Sequence, residues 1–223
     1  MSRQTILFLH GFASSARGSK AQFLREKFAA VPHAAFDALD FNPTPRDFEY
    51  MTVSGLINRL RQYLLQGGQE TVSLIGSSMG ALVALNYAHR YGGVNRLLLL
   101  APALVYRAGW RHMPQEDMWQ ERGFVEITHY AFGEALPLRY DIEVDGTLYA
   151  TPPSPPAPVR IVHGRQDEVI PISLSREYAD SYPGKVELVE VEADHRLHGR
   201  LDDVWQEVGS FLLSAGDPRQ QSK

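Results

Sequence analysis

Short runs of apolar residues alternate along the chain with longer stretches in which apolar positions recur every three or four residues. The short runs are Thr5–His10, Ala34–Phe41, Thr71–Ile75, Arg96–Ala101, Val159–His163 and Val186–Val191. Most are apolar throughout rather than at every second position, which is the mark of strands covered on both faces. The longer stretches predict amphipathic helices. Lys20–Val31 sets Phe23, Leu24, Phe28 and Val31 on one stripe, and Val53–Leu65 does the same with Val53, Leu56, Ile57, Leu60 and Leu64. Met79–Tyr91, Ile172–Tyr182 and Asp203–Leu213 complete the set. Strand and helix in alternation predict an α/β fold, a doubly wound and mostly parallel sheet of about six strands. Such a sheet binds ligands beyond the carboxyl ends of its strands, so the residues just after each apolar run are the ones to search for chemistry.

One segment breaks the alternation. From Leu104 to about Ala150 the chain carries Trp110, Trp119 and five Tyr or Phe residues after position 123. It ends at Thr151-Pro152-Pro153-Ser154-Pro155-Pro156-Ala157-Pro158, a stiff extended stretch. Residues 104–152 are expected to form a cap or lid inserted into a single α/β domain spanning 1–223, with an ordinary decorated loop as the plainer alternative. The polar tail Gly216–Lys223 is expected to fray.

Composition narrows the chemistry. The chain has 223 residues, 44% of them hydrophobic and 22% charged, enough to bury one sizeable core and unlike a disordered or fibrous sequence. Its 22 Lys and Arg against 26 Asp and Glu give a net charge of −4, without the basic excess of a nucleic-acid binder. It has no cysteine, which removes thiolate nucleophiles and Cys-ligated metal sites. No apolar stretch approaches the roughly 18–20 residues of a membrane span, and the start MSRQTILFLHG has no secretory signal pattern. The expectation is a protein with no membrane partner and a cytoplasmic location.

Gly76-Ser77-Ser78-Met79-Gly80 is the sharpest signal. This G-x-S-x-G pentapeptide falls directly after one predicted strand and directly before a predicted helix. A strand-to-helix turn that tight holds its central residue in a strained conformation with the Ser78 hydroxyl exposed above the sheet. Gly76 and Gly80 let strand and helix approach, and the helix start brings amide donors to the reacting centre. A serine nucleophile needs a base, and the base an orienting acid. Asp167 follows the run Val159–His163 and His195 follows the run Val186–Val191. The order Ser78, Asp167, His195, each after a separate strand, is the order of one serine-hydrolase architecture. The tetrahedral oxyanion needs two preorganised donors, here the amides of Met79, next after the nucleophile, and of Phe12, after His10-Gly11.

Three blocks carry a family likeness: Phe8-Leu9-His10-Gly11-Phe12-Ala13-Ser14-Ser15, Gly76–Gly80, and Asp167-Glu168-Val169-Ile170-Pro171 with Asp194-His195-Arg196-Leu197. On these the chain resembles the α/β-hydrolases. Within them it is similar to small bacterial esterases of the YqiA/YcfP type and to the branch of acyl-glucuronide esterases and depalmitoylating thioesterases. The resemblance implies Ser78 as nucleophile, Asp167 as orienting acid and His195 as base. It departs from larger relatives in lacking N-terminal antiparallel strands, and the segment after Leu104 matches too loosely to carry over a substrate.

Glu168 and Asp194 are the rival acids and His198 the rival base; His195 is preferred for standing closer to its strand end. His33, His89, His112 and His129 are read as structural. Gly11–Lys20 is Gly- and Ser-rich like a phosphate-binding loop, but the spacing G-x-x-x-x-G-K-[ST] fails. His195 and His198 join no recognisable zinc signature. The expected activity is therefore hydrolysis of a small-molecule carboxylic ester of short to medium acyl chain through an acyl-enzyme, without metal or cofactor. Phe12, Tyr106, Trp110 and Trp119 are the expected substrate-binding side chains. Thioester or acyl-glucuronide cleavage is the alternative chemistry, and a hydrolase-like ligand-binding protein the alternative class.

Overall fold

A computed structural model describes residues 4–68, 71–109 and 116–213. Six strands form one parallel sheet: β1 (Gln4–Leu9), β2 (Ala34–Leu39), β3 (Val72–Ser77), β4 (Val94–Leu100), β7 (Val159–Gly164) and β8 (Val186–Val191). Their order is β2-β1-β3-β4-β7-β8. The chain leaves β1 outward to β2 and then returns past β1 to β3, so the winding reverses between β1 and β3 and their carboxyl ends lie side by side at the switch point.

The unbroken apolar runs reflect burial on both faces. In β1, Leu7 and Leu9 pack into one core with β3 Leu74, β4 Leu97 and Leu99 and the helices α3 (Val53–Gln66) and α4 (Met79–Tyr91). Alternate residues Ile6 and Phe8 enter a second core with Ile75, Leu98, Leu100 and Val162, against α1 (Ser19–Phe28) and α8 (Leu201–Glu207). The α3 start matches its prediction: Thr52 caps it, its hydroxyl accepting the Gly55 amide at 3.0 Å, and the expected stripe of Val53, Leu56, Ile57, Leu60 and Leu64 is the buried one. Helix α7 (Ile172–Ser181) lies between β7 and β8 in the chain. The predicted helix Asp203–Leu213 is instead α8 followed by a wider, π-helical turn over Val208–Leu213 that buries Val208, Phe211 and Leu212.

Between β4 and β7 the chain forms α5 (Glu116–Arg122), an antiparallel hairpin of β5 (Phe124–His129) and β6 (Glu134–Arg139), and α6 (Asp141–Gly146). Polar pairs tie this segment to its surroundings. Arg139 Nε donates to Glu49 of α2 (Pro45–Glu49) at 2.8 Å, and Asp145 accepts the Ser54 amide at the start of α3 at 2.9 Å. The hairpin turn returns to the end of β1 through the Tyr130 amide, which donates to the Ala13 carbonyl at 3.1 Å. Among the described residues no helix is long and apolar enough to cross a membrane.

Candidate active site

A cavity of about 630 Å³ opens at the carboxyl ends of β1 and β3, lined by Gly11, Phe12, Ser78 and Met79 and, from other loops, by Tyr106 and His195. Ser78 stands between β3 and α4 with φ +53° and ψ −118°, a backbone region costly for any residue with a Cβ. Three backbone hydrogen bonds hold it there: its N–H donates to Leu100 O at 2.9 Å, and its carbonyl accepts from Ala81 N at 3.0 Å and Ala103 N at 3.1 Å. The flanking glycines allow the turn to close. A Cβ on Gly76 would stand 2.6 Å from Ala81 Cα, and one on Gly80 would stand 2.2 Å from the Leu9 carbonyl oxygen. Gly11 lies against Ser78 itself, its notional Cβ 3.2 Å from Ser78 Cβ.

His195 Nε2 lies 3.1 Å from Ser78 Oγ, and His195 Nδ1 lies 2.8 Å from Asp167 Oδ2. With the proton on Nδ1, the ring donates to the carboxylate and presents a lone pair to the serine hydroxyl. Asp167 is fully buried, and its other oxygen accepts the amides of Val169 and Ile170 at 2.9 and 2.7 Å. Burial alone would push its carboxyl up. Hydrogen bonds from His163 and His195, and the charge the His195 ring can carry, outweigh burial and hold it well below the usual carboxylate range.

His163 was not anticipated at this site. It ends the apolar run of β7, fully buried, with Nε2 3.0 Å from Asp167 Oδ2 and Nδ1 2.7 Å from Ser175 Oγ on α7. Its signal in the sequence is a histidine inside an otherwise apolar strand four residues before the acid. Of the rivals, His198 donates through Nδ1 to Asp194 at 2.7 Å on the surface, and Glu168 accepts the backbone amide of His195 at 3.4 Å. His10 is buried at the end of β1, where Nδ1 donates to the Gly11 carbonyl at 2.8 Å and Nε2 accepts the Phe41 amide at 3.0 Å. That ring fixes the loop carrying Phe12. Met79 opens α4, where an amide has no carbonyl one turn behind it to bond.

The four expected substrate-binding side chains fare differently. Phe12 lines the cavity and packs on Phe48 with ring centroids 5.6 Å apart. Tyr106 lines it as well, seated over Gly146, where a Cβ would come within 2.2 Å of the ring. Trp110 lies outside the described residues, as does His112. Trp119 does not line the cavity. It is only 1% exposed and its indole N–H donates to the Leu138 carbonyl at 3.1 Å, so its bulk fills the interior beneath the hairpin. An aromatic residue in an amphipathic helix can face either way, and here the apolar side of α5 turns inward. Of the histidines read as structural, His129 is buried edge-on against Phe48 at 4.7 Å. Among the described residues no group of three His, Cys, Asp or Glu side chains could hold a metal ion.

The fold, with Ser78, Asp167 and His195 each standing after a strand of the parallel sheet, is the α/β-hydrolase fold. The chain belongs to the uncharacterised protein family UPF0227, whose profile matches residues 5–212. No curated protein matches it. Among solved structures, α/β hydrolase domain-containing protein 10 from mouse superposes with a TM-score of 0.76 at 19% identity, covering 95% of this chain and 90% of that one. A ferulic-acid complex of Est1E from Butyrivibrio proteoclasticus gives 0.77 at 20% identity, over 95% and 89% of the two chains. A hydrolase structure from Agrobacterium vitis S4 gives 0.77 at 21%, over 93% and 87%.

Proposed function

We propose that the chain is a serine hydrolase that cleaves carboxylic esters through an acyl-enzyme. The observation that carries this reading is the unbroken chain Ser78 Oγ, His195, Asp167, with links of 3.1 and 2.8 Å, at a serine held at positive φ. A merely structural serine gains nothing from that backbone conformation, whose cost is on the order of 1–3 kcal/mol. In the reaction, Ser78 Oγ attacks the acyl carbonyl as its proton passes to His195 Nε2. Asp167 holds the ring and stabilises its charged form. The Phe12 and Met79 amides receive the oxyanion; losing one such donor typically costs about 2.7–4 kcal/mol in the barrier. His195 then returns the proton to the leaving oxygen, and water, activated by the same ring, frees the acid.

Met79, Tyr106 and Phe12 give the acyl group an apolar wall, and the segment between β4 and β7 caps the cavity through Tyr106 and Tyr130. A 4-nitrophenyl ester series from acetate to palmitate should peak at short to medium chains. Ser78→Ala should abolish hydrolysis of 4-nitrophenyl butyrate and labelling by a fluorophosphonate probe. Retention of wild-type hydrolysis would sink the proposal, and stoichiometric acylation without turnover would favour a ligand-binding role.

A further inference from the structure

The cavity is not apolar all round. On the side of the His195 loop it is lined by Lys20, from the first turn of α1, and by Arg196, the residue after the base. Among the described residues neither side chain forms a hydrogen bond or an ion pair with a carboxylate. Asp194, the acid nearest in sequence, is taken up by the amide and ring of His198, at 3.1 and 2.7 Å. Glu168, the one acid on the cavity wall among the described residues, faces the His195 backbone amide. Arg196 lies over the Tyr130 ring at 5.1 Å, which leaves its guanidinium charge uncancelled. Two cations therefore face a half-enclosed space beside the nucleophile.

Burial pushes the Lys20 ammonium down to about 8 against the pull of Asp194, with Arg196 lowering it further and Asp167 opposing. A desolvated ammonium without a partner is costly, and a bound anion restores what burial removed. The position of the pair decides which part of a substrate it meets. The leaving oxygen takes its proton from His195 Nε2, so the leaving group lies against the His195 loop, while Met79 and Tyr106 line the acyl side.

We infer that Lys20 and Arg196 form a subsite for an anionic group, a carboxylate or a phosphate, on the leaving alcohol or thiol of the substrate. The inference rests on the serine-esterase reading and adds to it the charge of the natural leaving group. An ammonium reads charge rather than shape, so both anions fit.

The test compares butyrate esters that share one acyl group: neutral 4-nitrophenyl and phenyl, 3-carboxy-4-nitrophenyl, and 4-phosphophenyl butyrate, with mono-4-nitrophenyl glutarate carrying its charge on the acyl side. Each anionic ester is scored as kcat/KM relative to a neutral butyrate of similar leaving-group acidity, the 4-nitrophenyl ester for the two carboxylates and the phenyl ester for the phosphate. The wild type should favour an anionic leaving group by on the order of tenfold, the scale of one charge-assisted hydrogen bond, and should not favour the glutarate. The carboxylate and phosphate arms show which anion fits better. Lys20→Met should collapse the ratio, Lys20→Arg should keep it, and Arg17→Ala, an exposed cation of the same loop, should leave it unchanged. The wild-type ratio should also fall as pH rises through about 8, where Lys20 discharges among Asp194, Arg196 and Asp167. Effects on the triad cancel in that ratio.

A wild-type ratio near unity, a preference confined to the glutarate, or a ratio unmoved by Lys20→Met overturns the inference. If Lys20→Met does not fold, a wild-type ratio that stays flat across that pH range overturns it instead. Failure of the esterase reading looks different: the wild type would hydrolyse none of these esters and take no fluorophosphonate label.

Discussion

Asp167→Asn separates the orienting role of this acid from a purely structural one, and the outcome can be worked out from its partners. The carboxylate accepts four N–H groups: Val169 and Ile170 amides on one oxygen, and the His163 and His195 rings on the other at 3.0 and 2.8 Å. Asparagine has one oxygen to offer two such pairs. If its NH2 faced the backbone amides, two buried donors would lose their acceptor, at about 1–3 kcal/mol each. If it faced the imidazoles, each ring would move its proton to the far nitrogen. His163 can do so by donating to Ser175, 2.7 Å away, whose hydroxyl rotates. The second arrangement wins, and it leaves the His195 proton on Nε2, pointing at Ser78. The variant should therefore fold, with a Tm lower by only a few degrees, while kcat on 4-nitrophenyl butyrate falls by on the order of 10³–10⁴. Glu168→Gln, which alters a contact to backbone alone, should cost less than about fivefold, far short of a lost charged hydrogen bond. Circular dichroism verifies folding and steady-state kinetics give the ratio. A folded Asp167→Asn variant within about tenfold of wild type would refute the reasoning, since the tautomer argument requires a larger loss.

Three further outcomes follow from other residues. Gly80→Ala places a Cβ 2.2 Å from the Leu9 carbonyl oxygen, where only backbone could give way; thermal melts should show a loss of at least about 2 kcal/mol, or roughly 4–8 °C. Trp119→Phe removes the indole donor to Leu138 and part of a filled interior. It should lower Tm yet leave KM for 4-nitrophenyl butyrate within about twofold, because a residue outside the cavity contributes packing rather than binding; a large rise in KM would return Trp119 to the substrate site. The third concerns acid. Arg176 and Arg165 pull Glu190 from the ordinary 4.5 down to about 2, so its stabilising contribution is complete above about 4.5 and is lost as pH falls towards 2. Asp167, also held low in the fold, acts in the same direction. Urea midpoints measured on either side of that window should converge in Glu190→Gln relative to wild type, and parallel curves would refute the assignment.

The reach of sequence reasoning followed the range of the interactions. Strands covered on both faces advertise themselves: the predicted Val159–His163 forms as Val159–Gly164, with five of its six residues buried. The predicted Ala34–Phe41 stops at Leu39, because the Phe41 amide turns away to the His10 ring. Helix α2 carries readable start signals in Thr44-Pro45-Arg46-Asp47, with a reciprocal capping box, but five residues are too few to show a period. The β5–β6 hairpin was missed although Gly133, at φ +74°, marks its turn, because its strands carry too few apolar residues to stand out as a run. That Ser78, Asp167 and His195 come together was legible because a parallel sheet brings its strand ends together whatever the intervening chain does. Lys20 was not. Its environment is set by a loop more than 170 residues away in the sequence, at Asp194 and Arg196.

Two of the buried histidines, His10 and His163, show why the site is rigid where it must be. His10-Gly11 directly follow β1 and His163-Gly164 close β7, and each pair solves the same problem. A loop leaving a buried strand end exposes backbone groups that must be satisfied without water. An imidazole has two nitrogens on opposite sides of a flat ring, so it can bridge two polar groups, backbone or side chain, at such a strand end. His10 joins the Gly11 carbonyl to the Phe41 amide, and His163 joins Ser175 to the Asp167 carboxylate. The glycine that follows lets the neighbouring loop close in. A Cβ on Gly164 would stand 2.3 Å from the Ala193 carbonyl oxygen, and one on Gly11 would press on Ser78. The first pair thereby sets the loop that carries Phe12, and the second sets Asp167 against the His195 ring. Preorganisation at this site thus comes from strand-end chemistry repeated on both sides of Ser78, which is why these side chains hold their geometry although the loops that carry them lie at the surface.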